Sequence, residues 1–246
     1  MEAVAEHISD GGLLDLIQKF LKQGVMESGK GWQPTETGTP QGAVISPLLA
    51  NIYLNPLDHL MEKGGKEMAR YADDFVVMCI SEEEALENLE QIRVWVEKAG
   101  LSLHPAKTRI VDASQKGGFD FLGYHFERGN KWPRKKSLEK FRESIREKTG
   151  RMRPGSTQEI VRDVNRTLRG WFEYFKHSQK GTFRDLDTWV RGRLRSILCQ
   201  RHRIGGTGKW TIATHRRWPL NYFADFGLIS MASVRSKASQ PRRRNH

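Results

Sequence analysis

With 246 residues, 37% of them hydrophobic, the chain is long enough for one large domain or two smaller ones and rich enough in apolar side chains to exclude disorder throughout. A formal charge of +12 and a pI near 9.8 favour an anionic partner, for which nucleic acid and an acidic membrane surface are the usual candidates. No run approaches the ~18 apolar residues of a membrane span and no apolar signal segment follows Met1-Glu2, so a cytoplasmic protein with no membrane partner is expected.

Leu13, Leu14, Ile17, Phe20 and Leu21 recur at helical spacing and stop at Gly24, which predicts a first helix. Gly29 to Gly42 is rich in Gly, Thr and Pro and reads as a loop, with a short strand around Trp32-Gln33. Ser46-Pro47 supplies an N-cap and a first-turn proline for a helix striped by Leu48, Leu49, Ile52 and Tyr53. Asn55-Pro56 repeats that pattern, so a break and a second helix ending at Gly64-Gly65 are expected. Met68 to Ile80 favours strand on both sides of Asp73-Asp74, predicting a hairpin with the carboxylates at its tip. Ser81 and Glu84 have the spacing of a capping box, and Leu86, Leu89, Ile92 and Val96 form the inward face of the helix that follows. Strand signals return at Thr108–Val111 and Phe119–Phe126.

Beyond Phe126 the strand signal fades. Leu138, Phe141 and Ile145 mark one helix, closed by Pro154-Gly155. A longer one, capped at Ser156 or Thr157, sets Ile160, Val164, Leu168, Trp171 and Phe175 on one face and Arg162, Arg166 and Arg169 on another. A third, capped near Thr182, turns Phe183, Leu186, Trp189, Val190, Leu194 and Ile197 inward and Arg184, Arg191 and Arg195 outward. Gly205 to His246 has Gly-rich and Ser/Arg-rich ends around Trp218–Phe226, and disorder is expected after Ser230. The fold class is α+β.

Charge divides the chain sharply. Residues 1–126 hold 11 Lys and Arg against 19 Asp and Glu, whereas residues 127–246 hold 30 against 10. An acidic half suited to metal ions followed by a basic half suited to phosphates is the layout of a metal-dependent enzyme acting on nucleic acid. Cys79 and Cys199 form no Cys-x-x-Cys pair and the eight histidines stand singly, so no zinc site is expected.

Asp73-Asp74 taken alone would be ordinary turn residues, but the pair sits in Arg70-Tyr71-Ala72-Asp73-Asp74-Phe75-Val76-Val77, which resembles the Tyr-Ala-Asp-Asp hairpin of reverse transcriptases. Gly38 through Leu54 resembles that family's nucleotide-binding loop and palm helix, and Gly100 through Thr108 resembles the palm motif ending in a lysine, here Lys107. Phe119 through Phe126 resembles the primer-grip hairpin, although its alternating aromatics serve equally well as plain core. Ile160 through Ser178, with Arg169-Gly170-Trp171-Phe172-Glu173-Tyr174-Phe175, is similar to the maturase-specific domain of group II intron reverse transcriptases.

The resemblance implies a partial reverse-transcriptase palm over residues 1–130, a helical thumb and maturase domain over 131–204 and a basic extension over 205–246. It implies Asp73 and Asp74 as ligands of a two-metal Mg²⁺ site, Lys107 as a catalytic cation, and Gln41, Gly42 and Tyr71 as substrate-binding residues. Phe121, Leu122, Gly123 and Tyr124 would form the primer grip. Arg162, Arg166, Arg169, Arg184, Arg191 and Arg195 would bind RNA, while Trp171 and Phe175, on the apolar face, are expected in the core. The implied partners are group II intron RNA, an RNA template with a DNA primer, and dNTP. The family's first catalytic aspartate precedes the helix that residues 1–6 resemble, and Asp10 and Asp15 lack the flanking strand to replace it. The chain is therefore expected to be truncated, to need a separate fingers and palm fragment, and to be inactive as a polymerase alone. With no His- and Cys-bearing nuclease segment, no DNA cleavage is expected. The alternative is an RNA-binding splicing cofactor without polymerase activity.

Overall fold

A computed structural model of the chain describes residues 1–27, 29, 31–33, 43–204 and 211–238. They fall into two compact units, Met1–Ile110 and Val111–His246.

The first unit runs α1 (Glu2–Ala5), α2 (Gly11–Leu21), β1 (Val25–Glu27), β2 (Gly31–Gln33), α3 (Ser46–Lys63), β3 (Glu67–Tyr71), β4 (Asp74–Met78) and α4 (Glu82–Lys98). Asp10 caps α2, its Oδ1 accepting from the Leu13 N–H at 2.9 Å, so this acid is committed to a helix end. Helix α3 differs from the expected pair of helices, because it continues through Pro56, and its N-cap is Ile45 rather than Ser46. An internal proline costs about 3 kcal/mol. Leu57 and Met61, immediately beyond it, are 1% and 0% exposed, and burying two such side chains returns roughly 1.5–3 kcal/mol each. They pack with Ile92 and Val96 of α4 and with Met68, Phe75 and Val77 of the hairpin. Within α4 the expected inward Leu86 is instead exposed, and Asn88 is buried, its Nδ2 donating to Cys79 Sγ at 3.3 Å. The capping pair also shifts by one: Ser81 Oγ accepts from Glu84 N, but Glu84 Oε2 reaches Ile80 N. That bond and the Lys66 ammonium hold the Glu84 carboxyl below its ordinary range. No strand forms at Thr108–Val111.

The second unit opens with an antiparallel meander, β5 (Phe119–Phe121), β6 (Tyr124–Glu127) and β7 (Asn130–Pro133), followed by α5 (Lys135–Lys148), α6 (Thr157–Phe175) and α7 (Lys180–Arg201). Strand β7 goes beyond the expected hairpin. Its Asn-Lys-Trp-Pro sequence carries little strand signal, but the Arg128-Gly129 turn, with φ of +51° and +69°, folds it back onto β6. Helix α6 begins as expected, with a full capping box between Ser156 and Glu159.

Helix α7 is buried on two faces. Phe183, Leu186, Val190, Leu194 and Ile197 join Phe141, Ile145, Val164 and Leu168 in one core, while Leu198 and Cys199 share that core with Trp218, Phe223 and Met231 from the C-terminal segment. That segment forms α8 (Ile212–Arg217), α9 (Leu220–Asp225) and α10 (Met231–Ala238). The expected disorder after Ser230 is corrected for residues 231–238, because Met231 is fully buried and α10 packs on α7 and α6. Asp187, 3% exposed, holds α10 in place: its carboxylate accepts from Ser230 Oγ at 2.7 Å and from the Met231 and Ala232 N–H groups at 3.1 Å each. Asp187→Ala leaves these donors unmatched, which costs about 1–3 kcal/mol. The denaturation midpoint is expected to fall accordingly, with protease cleavage appearing near residue 230, while Asp185→Ala on the exposed side leaves both unchanged.

Candidate metal and nucleic-acid sites

Turn geometry and one arginine set the acidic hairpin. Strands β3 and β4 pair in register from Glu67↔Met78 to Tyr71↔Asp74, leaving Ala72 and Asp73 as a two-residue loop. Ala72 adopts φ +54°, a left-handed conformation that costs an L residue about 1–2 kcal/mol. Arg70 offsets that strain. Its Nη1 donates to the Ala72 carbonyl at 2.8 Å and to Asn51 Oδ1 at 3.0 Å, while Nε and Nη2 grip Asp58 at 2.7 and 2.5 Å. One guanidinium therefore ties the loop to α3, and the Asp58 hydrogen bonds raise the Arg70 pKa further above its ordinary value. Asp73 and Asp74 are exposed at the tip, and neither carboxylate has a hydrogen bond or ion pair among the described residues. Tyr71, beside them, is two-thirds exposed. Lys107 lies exposed in the turn after α4, its N–H donating to the His104 carbonyl. Gln41 and Gly42 lie outside the described residues. Among the described residues no third His, Cys, Asp or Glu joins the two aspartates.

The second hairpin is organised by packing onto helices of its own unit. Leu122 and Gly123, with φ +46° and +79°, make the β5–β6 turn. Tyr124 Oη donates to the Tyr174 carbonyl at 2.5 Å, and Tyr174 Oη donates to the Leu122 carbonyl at 2.8 Å. The Gly123 carbonyl accepts from Arg134 N and Ser137 Oγ. Phe121 and Tyr124 are half-buried, Tyr124 against Phe175 at 4.9 Å between ring centroids, and burial pushes the Tyr124 hydroxyl upward in pKa. Gly123 thus marks a turn.

The six arginines separate into two groups. Arg162, Arg166 and Arg169 come together with Gln158, Glu159, Asn165 and Phe226 around an open cleft of about 640 Å³ along α6. All three are exposed. Arg166 has a loose 3.6 Å contact with Asp163, which is engaged mainly by Arg153. Asn165, at the floor, fixes Phe226 through the next residues, donating to the Gly227 carbonyl at 2.8 Å and accepting from Ile229 N at 3.0 Å. On α7 only Arg184 is exposed as expected. Arg191 is half-buried and bonded to Thr188, and burial lowers its pKa. Arg195 corrects the expected outward placement: it is 1% exposed, donates from Nε to the Trp218 carbonyl at 3.0 Å and stacks over Phe223. Burial lowers its pKa, with Arg191 adding repulsion. The cause is the C-terminal segment, which covers the face of α7 that a three-helix reading leaves in solvent.

The sequence reading missed Arg70, Asp58 and Asn51. An Arg next to a Tyr-Ala-Asp-Asp tip was visible, but its target on α3 depends on a helix that runs unbroken through Pro56. Arg70→Ala removes charge-assisted bonds from a largely buried guanidinium and is expected to destabilise the chain by about 1.5–3 kcal/mol in denaturant titrations. Arg93→Ala, which breaks the exposed Arg93–Glu90 pair, is expected to change stability by less than about 0.5 kcal/mol. Equal effects from the two substitutions would contradict the clamp.

Comparison with known proteins places both regions. The family "Reverse transcriptase (RNA-dependent DNA polymerase)" matches residues 4–126, and "Group II intron, maturase-specific domain" matches residues 138–218. Among relatives, the group II intron-encoded protein LtrA of Lactococcus lactis subsp. cremoris is 55% identical over 53 residues, 21% of this chain and 8% of that protein. The COX1/OXI3 intron 2 protein of Saccharomyces cerevisiae is 42% identical over 57 residues, 23% of this chain and 7% of that protein. Protein YkfC of Escherichia coli K12 is 31% identical over 163 residues, 52% of this chain and 42% of that protein. The matched segments therefore span less than half the length of each of these relatives. No helix among the described residues is long and apolar enough to cross a membrane. With the acidic hairpin inside one family match and the α6 arginines inside the other, the chain belongs to the group II intron reverse transcriptase/maturase family.

Proposed function

We propose that the chain binds group II intron RNA through the α6 cleft and contributes two carboxylates to an RNA-directed DNA polymerase site acting on an RNA template, a DNA primer and dNTP. The observation that carries the reading is the gathering of Arg162, Arg166 and Arg169 around a cleft floored by a fixed Asn165 and walled by Phe226. Guanidinium groups take phosphate oxygens bidentately, and an aromatic wall suits an unpaired base of folded RNA.

On the acidic hairpin, Asp73 and Asp74 would hold Mg²⁺, since their oxygens are exposed and unengaged by other described residues. When bound, Mg²⁺ would neutralise charge on the attacking and leaving oxygens of phosphoryl transfer. Arg70 keeps the loop pinned to α3, so the carboxylates stay positioned when cations bind. Lys107 would offer a cation to the triphosphate, and Gln41, Gly42 and Tyr71 would line the nucleotide. Phe121, Leu122, Gly123 and Tyr124 would hold the primer end by packing, since the Tyr124 hydroxyl and the Leu122 and Gly123 carbonyls are already bonded to α6 and to the start of α5. A splicing cofactor that binds RNA without polymerisation is the second reading. It is favoured by the pair of aspartates having no third acidic, histidine or cysteine neighbour among the described residues. A separate fingers and palm fragment supplying a further carboxylate would reconcile the two.

Two measurements separate these roles. In RNA-binding titrations, replacing Arg162, Arg166 and Arg169 together by Gln is expected to reduce the slope of log affinity against log salt by about 2–3, close to 0.9 for each lost phosphate contact. An unchanged slope in a variant that melts like the parent would remove the cleft from the RNA interface. In primer extension with Mg²⁺, any activity of the chain, alone or supplemented with a fingers and palm fragment, is expected to fall roughly 100-fold or more in Asp73→Asn, because an amide removes charge the metal requires. Extension at the parent rate by that variant would take Asp73 out of the metal site.

A further inference from the structure

Thr149, the C-cap residue of α5, is fully buried and is held by an arginine of α7. Arg193 of α7 donates from Nε to Thr149 Oγ1 at 3.1 Å and from Nη2 to its carbonyl at 2.8 Å. Arg146, one turn earlier, accepts the Thr149 N–H on its own carbonyl at 3.2 Å, and its guanidinium lies 5.9 Å from the Trp189 ring centre. Arg151, two residues later, donates from Nε to the nearly buried Ser196 Oγ at 3.1 Å. The guanidinium groups of Arg146 and Arg151 thus meet α7 at Trp189 and Ser196, about a turn to either side of Arg193.

Among the described residues none of the three forms an ion pair with an Asp or Glu, whereas several packed cations of the chain do: Arg70 with Asp58, Lys66 with Glu84 and Arg153 with Asp163. Burial, followed by repulsion from Arg146 and Arg151, lowers the Arg193 pKa, and no carboxylate opposes that shift. Gathering like charges without a counter-charge costs stability, so the arrangement calls for a cause. Stabilisation of the α5 C-terminus explains one cation, and Arg193 already supplies it through the Thr149 carbonyl. Arg146 and Arg151 touch no terminal carbonyl of α5. Both are exposed, Arg151 keeps both Nη atoms outside its bond to Ser196, and Arg193 keeps Nη1.

We infer that Arg146, Arg151 and Arg193 form a second RNA-phosphate site, separate from the α6 cleft, where a folded RNA presents closely spaced phosphates. The inference rests on the RNA-binding reading above but uses none of the cleft arginines. The bonds to Thr149 and Ser196 fix two of the guanidinium groups before binding, which lowers the ordering cost of recognition. Exposure of Arg146 and Arg151 suits a macromolecular polyanion more than a small enclosed anion. With two such sites, the second unit holds RNA at two points, and the chain becomes a bridge between RNA segments.

The test uses the full chain with transfer RNA as the probe, comparing parent, Arg146→Gln/Arg151→Gln, the triple Gln variant of the cleft, and all five substitutions together. The double variant is expected to lower the salt slope by about 2, and its loss of affinity is expected to multiply with that of the cleft variant. If the parent binds and the double variant keeps its affinity and slope, the second site is overturned while the cleft reading stands. If the parent itself shows no salt-dependent binding, the RNA reading falls and the second site with it. Should the double variant lose its cooperative melt, phenylglyoxal labelling of the parent replaces it: protection of Arg146 and Arg151 by transfer RNA supports the site, and undiminished labelling overturns it.

Discussion

Burial of α7 on both faces is the constraint on which the second unit depends. A helix of 22 residues placed between α5 and α6 on one side and the C-terminal helices on the other must satisfy every polar group that its inner positions carry. Asp187 does so by receiving the start of α10, and Arg195 does so in part by reaching the Trp218 carbonyl and the Phe223 ring. One Arg195 amino group remains without a hydrogen bond. A buried cation with no carboxylate is costly, and its bond to the Trp218 carbonyl and its contact with the Phe223 ring tie α7 to the end of α8 and to α9. The same burial removes Arg195 from any solvent-facing role and restricts Arg191, so only part of the basic composition on α7 reaches its surface.

The first unit solves a different problem, that of holding two exposed carboxylates still. Hairpin strands of five residues have little stability alone, and the Asp73 loop adds a left-handed alanine. Arg70 gathers Asp58, Asn51 and the Ala72 carbonyl in one planar fork, and α3 delivers Asp58 because Leu57 and Met61, on either side of it, are locked in the core. Packing of an apolar helix face thereby reaches the site through a single guanidinium. Lysine, with a flexible point charge, could not make these contacts at once.

Legibility in the sequence followed the range of the interactions. Local devices were readable: the helix start at Ser156, the Asp73-Asp74 hairpin, and the periodic faces of α5 and α6 all depend on residues a few positions apart. The acidic and basic halves and the family motifs were readable for the same reason. What was not readable came from distant partners. Pro56 lies in a continuous helix because the core outweighs its local cost, β7 exists because Arg128-Gly129 turns it onto β6, and Arg195 is buried by residues more than twenty positions away. The placement of α10 required Asp187 to be recognised as a cap for a helix 43 residues downstream, which no periodicity reveals.

The boundary between units shows how family and packing differ. The reverse transcriptase match runs to Phe126, yet the compact unit ends at Ile110 and the β5–β6 hairpin folds with the helices that follow. Two reciprocal tyrosine bonds, Tyr124 to the Tyr174 carbonyl and Tyr174 to the Leu122 carbonyl, account for this. A hairpin that continues one family motif is thereby built into the body that carries the other. If that hairpin holds a primer end, its position is set by α6, the same helix that gathers Arg162, Arg166 and Arg169. RNA bound along α6 and a primer end at the Leu122-Gly123 turn would then share one rigid support, because Tyr174 belongs to the last turn of that helix.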